Sequence, residues 1–187
     1  MADDIITTAI TSLTTLSRSS RRPPFNSVFL LNNVSYLRQH LLLEPKHDAI
    51  LSILSPSTSE ALNSAFRTAK AGYFDLNFSP LMQAITEDPK DKSSKSAGKE
   101  KFTRFFDLLD EVVERHKFAQ VLEDDPASRA EIGQEIVMLV VPSFQRFTQK
   151  QRDKEFSKSE FLWPFLLGTA LNSDCIMLYC RSAEVYV

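Results

Sequence analysis

Apolar residues return at three- and four-residue intervals along most of this chain, and no period-two alternation lasts long enough to require a sheet. That spacing is the pitch of an α-helix, so the expected fold class is all-α. Composition agrees. Four glycines stand against fourteen phenylalanines and nine prolines, which disfavours tight-hairpin β folds, collagen and glycine-rich phosphate loops. With 187 residues, 43% of them hydrophobic and 25% charged, the chain can build a packed core and extended disorder is not expected.

The periodic segments can be placed in order. Ile5, Ile6, Ala9, Ile10, Leu13 and Leu16 mark a first helix, with Asp3 and Asp4 at its start to complement the helix dipole. Arg18 to Pro24 reads as a connector. A second helix is expected from Phe25 to Leu43, ending before Pro45 because Glu44 is disfavoured in the helical region. Ala49 to Leu54 predicts a short helix halted by Pro56. Ser57, Thr58 or Ser59 would then cap a helix through Leu62, Phe66 and Ala69 to about Tyr73. Leu76 to Ile85 predicts one or two turns interrupted by Pro80.

Residues 87–99 read as a flexible loop without a large aliphatic anchor, and Lys90 to Arg104 carries a local charge of +4. The clearest helix follows: Phe102, Phe105, Phe106, Leu109, Val112 and Val113 form one apolar stripe. Asp125 as cap and Pro126 at the first helical position announce a last long helix carrying Ile132, Ile136, Leu139, Val140, Phe144 and Phe147. Pro142 inside it predicts a kink or a break.

Enzymatic signatures are missing. No glycine pair has phosphate- or dinucleotide-binding spacing, no serine sits in a nucleophile elbow, and His40, His47 and His116 do not form a metal-binding pattern, so neither a cofactor nor a metal is expected. Asp107, Asp110, Glu111 and Glu114 read as the solvated face of a helix rather than a catalytic set. A formal net charge of −2 gives no reason to expect nucleic acid as a partner. Two cysteines, Cys175 and Cys180, cannot make a disulfide framework.

The acidic start, the hydroxyl-broken Ile5–Leu16 segment and a Phe161–Leu171 run too short to span a bilayer predict a cytoplasmic protein with reduced thiols. In that setting Asn33-Val34-Ser35 and Asn77-Phe78-Ser79 are chance sequons. One cluster keeps a functional reading: Arg146, Lys150, Arg152, Lys154 and Lys158 give a net +3 over thirteen residues. It suits contact with anionic lipid, or a polar helix end that complements the dipole.

Four segments carry a resemblance. Val28-Phe29-Leu30-Leu31-Asn32-Asn33, with Tyr36, is similar to the "FLLNN..Y" helix in the C-terminal half of the Exo70 family of exocyst subunits, particularly its filamentous-fungal members. Ala69-Lys70-Ala71-Gly72-Tyr73 followed by Ser79-Pro80-Leu81 resembles the same family's "AK.GY…SPLL" region. Lys101-Phe102 with Phe105-Phe106 resembles "KF..FF", and Pro142-Ser143-Phe144 with Phe147 resembles "P.Y..F", with Phe144 in the usual tyrosine place.

The resemblance implies stacked antiparallel helical hairpins, a segment of an elongated rod, over residues 1–158. It also implies a non-enzymatic part in tethering secretory vesicles to the plasma membrane. The implied partners are other exocyst subunits, a Rho-type GTPase and a membrane surface bearing phosphatidylinositol bisphosphate. The implied location is cytoplasmic and peripheral, at sites of polarised secretion such as bud tip, hyphal tip or septum. Lys150, Arg152, Lys154 and Lys158 are the expected membrane-binding residues.

Two departures from the family shape further expectations. By the resemblance, the chain is expected to start in mid-rod. Residues 159–187 form an apolar tail unlike the family's closing "KYIK" stretch, as expected of a retained intron or alternative exon in a truncated gene model. An isolated helical adaptor without a membrane role, or a non-functional truncated product, is the competing expectation.

Overall fold

The computed structural model describes residues 2–19, 21–43, 54–86 and 95–155. All of its regular structure among these residues is helical, as the periodicity requires. The helices are α1 (Ala2–Ser19), α2 (Pro23–Arg38), α3 (Pro56–Asn77), α4 (Ser79–Ile85), α5 (Lys95–Ala119) and α6 (Pro126–Glu155), and a π-helical turn at Gln39–Leu43 extends α2. The chain divides into two compact units, one of Met1–Ser79 with Glu114–Arg129 and one of Pro80–Val113 with Ala130–Val187.

Prolines account for most of the shifted boundaries. A proline in the first helical turn removes an N–H that has no partner there anyway, and its φ is already helical. Pro23 and Pro24 therefore open α2 rather than ending a connector. Pro56 opens α3. The cap is Ser55, ahead of the three residues expected, and its hydroxyl accepts from the Thr58 N–H at 3.3 Å. Pro80 is the second residue of α4. Pro142 lies within α6, which continues without a break. The carbonyl that loses its partner belongs to Met138, an exposed residue (67%) whose side of the helix water can reach. Helix α5 begins at Lys95, inside the segment expected to be loop. Residues 49–53, part of the expected short helix, lie outside the described residues, as do His47, the tail 159–187 and its apolar run 161–171.

In the first unit α2 and α3 pack antiparallel. Arg38 donates to Asn63 (2.9 Å) near one end, and Asn77 donates to Ser27 (3.0 Å) near the other. Between these contacts lie the buried Val28, Leu31, Val34, Leu62, Phe66, Ala69 and Tyr73. The Arg38 guanidinium also sits 4.7 Å above the Phe66 ring, a cation–π contact. Only Ile6 of α1 is buried, and it packs with Leu54 and Leu62. Leu41 and Leu42, from the widened π turn, cover the same cluster.

Two polar devices close this unit. Asn32 clamps the segment after α5: its Nδ2 donates to the carbonyls of Ala119 (3.3 Å) and Gln120 (3.1 Å), and its Oδ1 accepts from the Leu122 N–H (2.9 Å). The clamp holds a strained turn, because Gln120 (φ 46°) and Leu122 (φ 52°) both adopt left-handed backbone that side chains disfavour. Asp125 caps α6 as expected, accepting from the Ser128 N–H (3.0 Å), and it also accepts from the buried Ser35 hydroxyl (2.5 Å). These bonds outweigh the opposing effect of burial and hold its carboxyl below the usual carboxylate range.

His116 stacks on Tyr73 (5.6 Å between centroids, 25°), with the Tyr73 hydroxyl 3.3 Å from its Nε2 and Phe78 on a third side. Burial, helped by the neighbouring Arg115 charge, pushes its pKa down to about 4. The unfolded chain would bind this proton near pH 6.5 while the folded chain refuses it. Stability contributed by neutral His116 is thus full above pH 6.5 and falls as acid is added towards pH 4. Between pH 7 and 5 the expected loss is about 2 kcal/mol. Urea unfolding at both pH values measures it, and His116→Phe should remove most of the drop. An unchanged pH dependence in that variant would assign the acid sensitivity elsewhere.

In the second unit α5 and α6 also run antiparallel. Phe102 meets Phe147 (5.0 Å) and Phe105 meets Phe144 (4.8 Å), so the partner number falls as the α5 number rises. The stripe expected on α5 is the one that packs: Phe105 and Val112 are buried, and Leu109, Val113 and Phe106 partly so.

Candidate functional site

The packing of the phenylalanines decides where the cations of the second unit go. On α6, Phe144, Phe147 and Thr148 are buried, so this face belongs to the core. At 100° per residue Arg146 and Lys150 fall together on the opposite face, and both are exposed. Arg152 is exposed as well, but it stands about 160° around the helix from Lys150. The two therefore do not share a face, and the neighbour of Lys150 at helical spacing is Arg146. Lys154 belongs to the last turn of α6, and Lys158 lies outside the described residues.

A second source of positive charge lies at the same end of the helix pair. A Cβ on Gly98 would come within 2.6 Å of the Gln151 side chain, so the first turns of α5 lie beside the last turns of α6. This brings Lys99 and Arg104, both exposed, to the end of the pair that holds Lys150 and Arg152. Lys101 donates to the Thr86 carbonyl at 2.9 Å, tying α5 to the residue after α4. Lys99 and Arg104, the described exposed cations of the stretch from Lys90 to Arg104, thus lie at the same end of the helix pair as Lys150 and Arg152 through the Gly98–Gln151 contact. Sequence reading treated them separately, and the glycine is the one signal that could have joined them.

The arrangement is a set of dispersed cations, not a pocket. Lys99, Glu100, Thr103, Arg104 and Asp107 line an open depression on α5 in which acids and bases alternate. Asp107, Asp110, Glu111 and Glu114 are all exposed or partly so, and Glu114 pairs with Lys117 at 2.6 Å. They form the solvated face expected. Among the described residues there is no group of three or more potential metal ligands, and no helix is long and apolar enough to cross a membrane.

The first unit presents a different surface. Phe25, Phe29 and Tyr36 recur on one face of α2 and are exposed (36%, 40% and 52%), with Asn32 among them. Phe118, next to the Ala119 carbonyl that Asn32 holds, is 77% exposed. Asn77, the first residue of one sequon, is buried; besides donating to Ser27 it accepts from Arg115 at 2.7 Å, a structural duty.

Residues 1–162 match the family described as the C-terminal part of Exo70, a component of the exocyst complex. No curated protein and no solved structure matches the chain.

Proposed function

The chain belongs to the family of Exo70 C-terminal regions from the exocyst complex, and from that membership we propose that it works as a membrane-contacting tether segment. The family's proteins are structural rather than enzymatic and serve vesicle tethering within the exocyst, as peripheral cytoplasmic components. The finer reading is ours: residues 1–158 form the family-like helical part, and Lys150, Arg152, Lys154 and Lys158 contact phosphatidylinositol bisphosphate. Other exocyst subunits and a Rho-type GTPase would bind the helix faces at sites of polarised secretion.

The exposed cations at the common end of α5 and α6 carry this reading. Exposed cations without a pocket suit a flat anionic surface rather than a small ligand; each cation that faces the surface is worth about 1 kcal/mol, and Lys150 and Arg152, on different sides of α6, do not face it at once. The test is co-sedimentation with vesicles containing phosphatidylinositol bisphosphate. Lys150→Glu with Arg152→Glu should weaken binding about tenfold or more and flatten its salt dependence, from the same worth per cation. Lys154→Glu with Lys158→Glu should act in the same direction. Unchanged binding at low salt in both double variants would remove these residues from the membrane contact.

The exposed aromatics Phe25, Phe29, Tyr36 and Phe118 favour a second reading, a helical adaptor that binds protein and not lipid. Dimerisation or aggregation without capture of other exocyst subunits, and without vesicle binding, would support it.

A further inference from the structure

The sequence contains two Ser-Pro pairs, Ser55-Pro56 and Ser79-Pro80, the acceptor pattern of proline-directed protein kinases. The structure separates them. Ser79 already has helical backbone at the start of α4, between the buried Phe78 and Leu81. Ser55 precedes α3 in extended backbone (φ −70°, ψ 150°) and is partly exposed. A kinase groove takes its acceptor serine in extended form, so Ser55 is the presented site.

What Ser55 touches gives the modification a consequence. Its N–H and its hydroxyl both donate to Oδ1 of Asp3 in α1, at 3.1 and 2.9 Å, and the Thr58 hydroxyl donates to the same oxygen. These bonds, Thr58 first, hold the Asp3 carboxyl below the usual carboxylate range, so it is charged at neutral pH. Among its described side chains α1 buries only Ile6 and leaves Ile5 and Leu16 exposed. The helix is thus fastened by the buried Ile6, by the partly buried Ala2 and Ile10 that pack on the same cluster, and by one carboxylate.

We propose that Ser55 is a phosphorylation site and that its phosphate releases α1 from the start of α3. In the transfer, the Ser55 Oγ forms a bond to the γ-phosphorus of ATP. The bond from that phosphorus to the bridging oxygen breaks, ADP leaves with the electron pair, and the hydroxyl proton passes to the kinase's base. The product has lost the hydroxyl donor to Asp3 and carries nearly two negative charges beside that carboxylate. A phosphate at a helix start is otherwise favourable for α3, so α3 persists while α1 is repelled. Release uncovers the apolar cluster of Leu54 and Leu62 with Leu37, Leu41 and Leu42.

The experiment treats the full chain with a proline-directed serine kinase, Mg²⁺ and ATP, maps phosphate by mass spectrometry, and follows hydrogen exchange over residues 2–19. Phosphate is expected on Ser55 and not on Ser79 in the folded chain, with α1 amides exchanging at least tenfold faster. Ser55→Ala should abolish incorporation. Asp3→Asn keeps the side-chain acceptor but removes the charge, and its amide can donate to the phosphate. In that variant the phosphorylated chain should exchange like the unmodified one. Failure of the folded chain to accept phosphate at Ser55 would overturn the proposal. So would phosphate on Ser55 with unchanged exchange in α1, or equal acceleration in the Asp3→Asn variant.

Discussion

Phe144→Ala should destabilise the second unit by about 3–5 kcal/mol, the usual cost of truncating a buried aromatic. Phe144 is 2% exposed and lies at the centre of the ring cluster, 4.8 Å from Phe105, 5.5 Å from Phe102, 5.8 Å from Phe106 and 6.4 Å from Phe147. The Phe105 contact is tilted and those with Phe102 and Phe106 are edge-on, the offset arrangements that aromatic quadrupoles favour. Removing this ring leaves a cavity bordered on several sides by others that cannot close it. Domain-scale stability is typically about 5–15 kcal/mol, so much of it would go. Denaturant unfolding should show a lower midpoint. Because Phe144 stands where the family usually has tyrosine, Phe144→Tyr is the informative control: near-native stability would mean that the site has a partner or water for the added hydroxyl. A Phe144→Ala loss below about 1 kcal/mol would contradict the packing described here.

The second large effect is expected at Asp125, where one carboxylate serves two elements. Asp125→Ala removes the cap on α6 and leaves the buried Ser35 hydroxyl without its acceptor. A lost cap costs about 0.5–2 kcal/mol and an unsatisfied buried group about 1–3, so a combined loss of about 1.5–5 kcal/mol is expected. Asp125→Asn keeps an acceptor for either bond and should recover a good part of it. The double variant Asp125→Ala with Ser35→Ala should cost less than the sum of the two single changes, since neither then leaves the other stranded. Strict additivity in thermal or urea unfolding would show that the Ser35–Asp125 bond contributes little.

The family signatures in the chain turn out to be mostly packing signatures. In "FLLNN", Leu31 is fully buried and Asn32 clamps the strained turn. In "AK.GY", Ala69 and Tyr73 are core. "KF..FF" and "P.F..F" meet each other as Phe102, Phe105 and Phe106 against Phe144 and Phe147. Resemblance therefore reported the fold through its core. The surface cations have no comparable constraint, which is why Lys150 and Arg152, expected from one stretch of sequence to touch lipid together, fall on different sides of α6.

Helix positions were readable because the apolar period is a local property: each stripe on α3, α5 and α6 repeats within a few residues, and a core face must bury it. Asp125 as the cap of α6 was readable for the same reason, since a cap bond spans three residues. The prolines were ambiguous because a ring that ends one helix can open another, and only the preceding residue's role, as with Ser55 before Pro56, separates the two. Tertiary structure alone decided which distant residues became neighbours. Asp3 with Ser55, Asn32 with Leu122, Ser35 with Asp125 and Gly98 with Gln151 are each more than fifty positions apart. No local propensity encodes such pairs; they follow from how amphipathic helices are turned when their apolar faces meet, and that rotation decides which polar residues come to face one another.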